Sequence, residues 1–101
     1  MKIARESIKV VNNPEKKRFE VVVDAHTAVA EYILTKDRII FTHTEVPKAL
    51  EGNGIGAALA STGLNHAKEQ GLKVMPLCPF IASYIRKHPE YRALLAAGIN
   101  V

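Results

Sequence analysis

The sequence predicts an α/β fold, in which an antiparallel meander of strands continues into a β-α-β-α segment and the helices pack on one mixed β-sheet. The first half of the chain contains short β-branched runs separated by turn residues, which is typical of strands. After a glycine-rich segment, the apolar residues follow a helical spacing. A further apolar run follows that helix, and a strand reached through a helix usually lies parallel to the strand before it. With 101 residues, the chain is expected to form one domain, 1–101.

Four strands are predicted in the first half, at residues 7–11, 18–23, 28–34 and 39–46. The first ends at a turn cluster, Asn12-Asn13-Pro14. Pro47 ends the fourth, because proline cannot donate to a strand ladder. Sequential strands joined by tight turns predict antiparallel pairing.

The second half begins with a helix predicted at 55–70, which Gly71 ends as a C-terminal cap. Its inner face is expected to carry Ile55, Ala58, Leu59, Thr62 and His66. Gly63 inside it costs roughly 1 kcal/mol relative to Ala, so close packing against the sheet is the expected compensation. A fifth strand at 72–77, a helix at 80–87 begun by Pro79, and a last helical turn at 91–96 complete the prediction.

The composition favours a globular protein without a membrane segment. The longest apolar runs fall far short of the roughly 18 residues that span a bilayer, and the N-terminal residues lack the apolar core of a signal peptide. Cys78 is the single cysteine, so we expect no internal disulfide and a cytoplasmic setting. The net charge of +4 suits either an ordinary basic surface or an anionic ligand. No metal site is expected, and nucleic acid is a disfavoured partner, because the chain has no Trp and no basic stripe with interleaved aromatic residues.

Residues 51–57 are the most informative segment, because three glycines stand in five positions immediately before the predicted helix. Glycine leaves the backbone N–H groups unshielded, and the first N–H groups of a helix lack internal partners and lie at the positive end of its dipole. This combination predicts a site for a phosphate or diphosphate. The backbone donors would come from Gly52, Asn53, Gly54, Ile55, Gly56 and Ala57.

Other interpretations of this loop fit less well. The spacing satisfies G-x-G-x-x-[G/A], but residues 47–51 separate it from the strand and no acidic residue follows at the required distance, which argues against a dinucleotide fold. The Lys-Ser/Thr pair of a P-loop is missing. An ordinary turn from strand to helix needs one glycine rather than three.

The loop resembles the acyl-CoA loop of the GNAT superfamily of N-acetyltransferases. Val46 stands eight residues ahead of Gly54, as in the superfamily signature. The chain is most similar to a short single-domain branch that carries H-T-E-V-P before the loop and C-P-F after the next strand, here residues 43–47 and 78–80. The similarity covers roughly residues 19–91. It implies a GNAT-like mixed sheet and an acetyl-CoA-dependent N-acetyltransferase, in which the arm of coenzyme A lies between the strands that end at Val46 and Leu77.

Two departures from the superfamily pattern bear on this expectation. Glu51 stands where the superfamily prefers Gln or Arg, so phosphate contact is assigned to backbone amides alone. The helices that most members insert after their first strand to build an acceptor site are absent. The acceptor cleft is therefore expected to be open or completed by a partner, which includes an oligomer. A small amine, a peptide N-terminus and a lysine side chain are all compatible acceptors.

The resemblance and the strand pattern together indicate three candidate catalytic residues. Strand alternation places Glu45 on one face with His43, and Glu45 is the candidate base; the alternative is a solvated carboxylate. By resemblance, the Tyr84 phenol would protonate the coenzyme thiolate, and the alternative is a packing role. Cys78 stands where the superfamily commonly has Asn, and could carry acetyl transiently, line the site beside the cofactor sulfur, or be an inert buried thiol.

The expected cofactor-binding set adds residues on either side of the loop, namely Val46, Cys78, Pro79, Tyr84 and Lys87. The main rival to an enzyme is an acyl-CoA sensor with little or no catalysis, acting with a protein partner. Release of free thiol in the presence of candidate amines distinguishes the two.

Overall fold

Five strands form a single sheet in sequence order, with one helix between the fourth and fifth strands and a second helix after the fifth, and the two helices pack beside each other. The computed structural model describes residues 2–101. The strands are β1 (Val11–Asn13), β2 (Arg18–Val23), β3 (His26–Leu34), β4 (Arg38–Glu45) and β5 (Lys73–Pro76). The helices are α1 (Ile55–Gln70) and α2 (Pro79–Lys87), and 3-10 turns occupy Arg5–Ser7, Lys48–Leu50 and Pro89–Leu94.

The pairing confirms the predicted meander and crossover. Strands β1 to β4 pair antiparallel with their sequence neighbours, and β5 pairs parallel to β4 after α1. A register shift between Glu31 and Tyr32 interrupts the pairing of β3 with β4. The predicted α/β class is therefore confirmed.

The first strand differs from its prediction. Residues 5–7 form a 3-10 turn and the strand begins only at Val11, so Asn12 and Asn13 lie inside it. Their amide side chains find partners in neighbouring strands. The Tyr32 hydroxyl donates to Asn12 Oδ1 at 2.7 Å, and Asn13 Nδ2 donates to Glu20 Oε1 at 3.2 Å. These tertiary hydrogen bonds outweigh the turn preference of asparagine.

The inner face of α1 also differs from its prediction. Ile55 and Leu59 are buried as expected, but Thr62, His66 and Ala58 are only partly buried. The rest of the buried face consists of Ala60, Gly63, Leu64 and Ala67. Three of these are small residues that let the helix approach the sheet closely. A Cβ on Gly63 would lie 3.0 Å from the Phe41 ring, which confirms the expected reason for glycine here.

The sheet buries one face and leaves apolar positions of the other exposed. Alternate residues of the strands, including Phe19, Val21, Ala30, Ile39 and Phe41, join the core beneath α1. The intervening positions are more open: Val22 is 57% exposed and Ile33 is 50% exposed. Among residues 2–101, no helix lies between β1 and β4.

The C-terminal segment returns to the sheet. The helical turn predicted at 91–96 is a 3-10 turn that ends at Leu94. Leu95 then bridges Val74 in parallel, and the Ala96 N–H donates to the Val74 carbonyl at 3.0 Å. Strand β5 is one residue shorter than predicted at each end, and beyond it the Cys78 N–H donates to the Phe41 carbonyl at 2.9 Å. The carboxyl ends of β4 and β5 and the beginnings of α1 and α2 consequently meet at one end of the sheet.

Candidate functional site

The glycine loop opens α1 with a backbone that leaves space around it. Gly52 and Gly54 have φ of 82° and 74°, in the left-handed region that side chains rarely adopt. No heavy atom lies within 4 Å of the position that a Cβ would take at either residue. The loop is therefore bare on the side where a ligand can approach.

The first N–H groups of α1 have no acceptor in the part of the chain that the structure describes. The cap residue is Gly54, no side chain caps the helix, and its first turn has no acidic residue. No backbone carbonyl outside the helix accepts from Ile55, Gly56 or Ala57. These three donors lie at the positive end of a 16-residue helix. Unpaired N–H groups at the beginning of a helix are a common binding site for phosphate oxygens.

Asn53 stabilises the loop rather than extending from it. Its Nδ2 donates to the carbonyls of Leu50 at 2.9 Å and Glu51 at 3.3 Å. Its Oδ1 accepts from the Ile3 N–H at 2.9 Å. The side chain thus holds the loop and the N-terminal segment together. Glu51, whose charge opposes phosphate binding, is exposed.

Two cavities flank the first turn of α1. The smaller, about 250 Å³, is called here the loop cavity and is lined by Val46, Leu50, Glu51, Gly52, Gly54, Ile55, Gly56, Ala57 and Phe80. The larger, about 350 Å³, lies between the N-terminal segment, α1 and α2, and is called the interhelical cavity; its lining is Arg5, Ile8, Asn53, Gly54, Ala57, Ala58, Ser61 and Tyr84. Gly54 and Ala57 border both, so the cavities adjoin.

Phe80 closes one side of the loop cavity and explains the third glycine. A Cβ on Gly56 would lie 2.7 Å from the Phe80 ring. The ring remains 44% exposed, so it presents an apolar surface to the cavity. Phe80 belongs to the C-P-F motif, but the motif alone did not indicate a role for its ring.

Glu45 and His43 lie at the end of β4 on the exposed face, as strand alternation predicted. His43 Nε2 lies 3.2 Å from Glu45 Oε1, with the two side chains 54% and 67% exposed. The carboxylate is therefore accessible to an amine from solvent. Val46, the next residue along the chain, lines the loop cavity on the other side.

Cys78 precedes α2 and is 3% exposed. Its thiol donates to Thr44 Oγ1 at 3.3 Å, a contact between the ends of β5 and β4 that the sequence did not indicate. Pro79 follows as the first residue of α2. The thiol lies at the end of the sheet where β4 and β5 finish and the glycine loop begins, and its hydrogen is donated to Thr44.

Tyr84 lines the interhelical cavity, together with Ser61. Burial is the main cause that raises the pKa of its phenol above the usual range, Tyr91 adds to the rise, and the Ser61 hydroxyl acts in the opposite direction. A phenol is protonated at neutral pH in any case, so this rise in pKa makes Tyr84 a weaker acid than a free tyrosine. Its ring stacks on His88, with centroids 4.1 Å apart.

The structure brings some of the predicted residues together and leaves others apart. The glycine loop and Val46 border one cavity, whereas Tyr84 borders only the other. Lys87 is the exposed last residue of α2 and lines neither cavity. The predicted roles of Tyr84 and Lys87 toward the cofactor remain predictions. Among residues 2–101, no cluster of three or more His, Cys, Asp or Glu side chains is arranged to hold a metal ion.

No helix within residues 2–101 combines the length and the apolar character needed to cross a membrane.

Comparison with known proteins agrees with this geometry. A family described as GCN5-related N-acetyl-transferase matches residues 18–94. Protein NATD1 of Xenopus tropicalis is 31% identical over 87 residues, covering 82% of this chain and 79% of its own length. Protein NATD1 of Homo sapiens is 33% identical over 85 residues, covering 81% and 75%.

A solved structure shows the same fold. The NMR structure of a GCN5-like protein from Staphylococcus aureus superposes with a TM-score of 0.70 and 22% sequence identity, covering 94% of this chain and 91% of that one. The resemblance inferred from the H-T-E-V-P and C-P-F segments is confirmed at the level of the superfamily, and the chain belongs to the GCN5-related N-acetyltransferase family.

Proposed function

We propose that this protein is an acetyl-CoA-dependent N-acetyltransferase that transfers acetyl to an amine. The observation that carries the proposal is the uncapped beginning of α1, with open space at the Cβ positions of Gly52 and Gly54, beside an apolar cavity that Val46 also lines. Bound acetyl-CoA would supply an acyl group activated as a thioester.

The residues present fit this ligand. The backbone N–H groups of Ile55, Gly56 and Ala57 have no acceptor among the described residues, so they are free to bind a diphosphate. Glu51 is exposed and can turn its charge to solvent. Val46 and Phe80 give the loop cavity apolar walls against which a pantetheine arm can lie. Family membership supports the same ligand class.

Glu45 is the group we assign to proton removal. An amine is protonated at neutral pH and must lose a proton before it can attack a carbonyl, and a positioned base is worth about 10²–10⁴-fold in rate. Its carboxylate is exposed at the end of β4, and His43 Nε2 lies 3.2 Å from it. The backbone N–H of Val46 is the donor we assign to the acyl oxygen.

Cys78 is assigned to the wall of the site near the thioester sulfur, and Tyr84 to the proton that the leaving thiolate needs. The Tyr84 phenol carries a proton at neutral pH, as a donor must, although burial raises its pKa and so makes it a weaker acid. A cytoplasmic setting, where thiols stay reduced, is compatible with the free Cys78.

A sensor that binds acyl-CoA and acts with a protein partner is the second candidate. The exposed sheet face favours it, because Val22 and Ile33 are at least half exposed and no described helix lies between β1 and β4 on the chain. In that case the acceptor side of the site would serve as a docking surface.

Calorimetric titration with acetyl-CoA, followed by a thiol-release assay, tests both candidates. We expect micromolar binding and faster thiol release with at least one of three amines: a small primary amine, a lysine side chain in a peptide, and a peptide N-terminus. Binding without amine-dependent release would support the sensor. Absence of binding would contradict both.

Cys78→Ala should retain turnover within about threefold of the unchanged protein. The thiol is 3% exposed and already donates to Thr44, so it is placed to pack rather than to attack. Steady-state thiol release measures this, with circular dichroism to check folding. A loss of about 10²-fold or more in a folded variant would instead indicate an acyl-cysteine intermediate.

A further inference from the structure

We propose that the open face of the sheet, the side turned away from α1 and α2, binds the same face of a second copy of this chain. The buried residues of both helices share one core with Phe19, Val21 and Phe41, so the helices cover only the other face. On the open face Val22 is 57% exposed and Ile33 is 50% exposed. The inference concerns assembly and does not depend on the proposed acetyl transfer.

An apolar row crosses the open face. The strand register pairs Ile33 of β3 with Ile40 of β4, and Ile40 with Met75 of β5. The residue before each of them is buried in the core, so strand alternation directs these three side chains to the open face. Contiguous apolar side chains on a surface commonly mark an interaction site.

The charged residues on the two sides of this row have opposite signs and equal spacing from it. Arg38 lies two residues before Ile40 on β4, and Glu31 lies two residues before Ile33 on β3. Because the two strands are antiparallel, Arg38 and Glu31 fall on opposite sides of the row. Each is about 7 Å from it along its strand.

Both charges are available to a second molecule. Within residues 2–101 the ion pairs are Arg18–Glu20 and His43–Glu45. Neither Arg38 nor Glu31 therefore has an ionic partner among the described residues. Burial of these two charges in an interface is favourable only where each meets the opposite sign.

A two-fold axis parallel to the apolar row, between two facing sheets, brings these charges together. The rotation reverses the strands of the second copy, so the two apolar rows meet and Arg38 of each copy lies on the side of Glu31 of the other. The two residues are on neighbouring strands, about 5 Å apart sideways, an offset that the long arginine side chain covers. The interface thus contains two reciprocal pairs, and it closes as a dimer.

This symmetry is the reason for assigning the face to a second copy. A surface of one sign would suit any partner of the opposite charge. Here an apolar row with a cation on one side and an anion at the same distance on the other is complementary to itself.

The size of the face suits a weak dimer. Five strands, with eight residues in β4, give a face of roughly 20 by 25 Å. Facing sheets pack about 10 Å apart, a distance that isoleucine and methionine side chains fill. A contact of this size is at the lower end of specific interfaces, so we expect a dissociation constant in the micromolar range.

Glu45 stays reachable in this dimer. It pairs with Val29, which lies four residues from Ile33 on β3, and is therefore roughly 13 Å from the axis. Strand β3 ends at Leu34, so on that side only the turn between β3 and β4 of the other copy extends toward Glu45. The carboxylate consequently lies at the edge of the interface.

Sedimentation equilibrium over a range of micromolar concentrations tests the dimer, with Arg38→Glu and Glu31→Arg as charge reversals. Each reversal alone should weaken dimerisation about tenfold or more, because two attractive pairs become two repulsive ones. An equimolar mixture of the two variants should dimerise as the unchanged protein does, since each reversed side chain then faces its opposite. This rescue also shows that both variants are folded.

Two further sets of variants complete the test. Ile33→Ser, at a half-exposed position, shortens the apolar row without touching a charge and should also weaken dimerisation about tenfold. Lys68→Glu and Glu69→Arg are the matched controls, because both side chains are exposed on α1, on the covered side of the sheet. The controls should dimerise as the unchanged protein does.

Three results would overturn the inference. An unchanged protein that stays monomeric throughout the micromolar range would leave the open face to a different protein. A dimer that both charge reversals and Ile33→Ser leave intact would place the interface elsewhere. A mixture no more dimeric than the single variants would exclude the Arg38–Glu31 pairing. Binding of acetyl-CoA by a monomeric protein would uphold the proposed function without this dimer.

Discussion

Replacing Gly54 by leucine should reduce the affinity for coenzyme A by about a hundredfold or more. Gly54 has φ of 74° and open space where a Cβ would stand, and it borders both cavities. A leucine side chain would occupy the approach to the N–H groups that we assign to the diphosphate. Charge-assisted hydrogen bonds contribute about 1.5–3 kcal/mol each, so the loss of one or two gives a decrease of this size. Calorimetric titration measures it.

Gly71→Leu separates the loss of binding from backbone strain. Gly71 also caps α1, at the opposite end, with φ of 68° and no heavy atom within 4 Å of the Cβ position. A non-glycine residue in this conformation costs about 1–2 kcal/mol, so urea denaturation should show a similar destabilisation in both variants. Only Gly54→Leu should lose affinity. Equal affinity in the two variants would contradict the placement of the diphosphate at this loop.

The elements that could be predicted from the sequence are those that local signals define. Helix α1 spans the predicted residues because Gly54 and Gly71 bound it on either side, and α2 begins where Pro79 is tolerated. Strand β2 also matches its prediction, since its β-branched run is continuous. In each case neighbouring residues carry the information.

Features that depend on distant contacts were not predicted. Asn12 belongs to a strand because Tyr32 donates to it, and the buried face of α1 follows small residues that admit the Phe41 ring. The bridge from Leu95 to Val74 depends on where the C-terminal segment returns. No local pattern marks any of these contacts.

The same division holds for the candidate site. The glycine loop and the pairing of Glu45 with His43 follow from spacing along the chain, and the structure has both. The contact of Cys78 with Thr44 and the approach of Arg5 to α1 join residues far apart in sequence. A solitary arginine near the N-terminus gives no signal until the fold places it beside a cavity.

Glu45→Gln should lower the rate of amine-dependent thiol release by about a hundredfold or more while leaving the affinity for coenzyme A unchanged. Glutamine keeps the shape of the side chain but cannot accept the proton that a protonated amine must lose. The side chain is exposed at the end of β4 and lines neither cavity, so coenzyme binding should not sense the change. Initial rates at saturating acetyl-CoA measure the first effect, and titration measures the second.

The rate of Glu45→Gln should recover as the pH rises, because the acceptor amine then loses its proton without help from the protein. Such a recovery distinguishes a missing base from a damaged fold, which would not be repaired by alkali. Glu69→Gln, an exposed carboxylate on α1, is the matched control and should keep the full rate at every pH. An unchanged rate in Glu45→Gln at neutral pH would mean that Glu45 is a solvated surface carboxylate and that the attacking amine loses its proton to another group or to water.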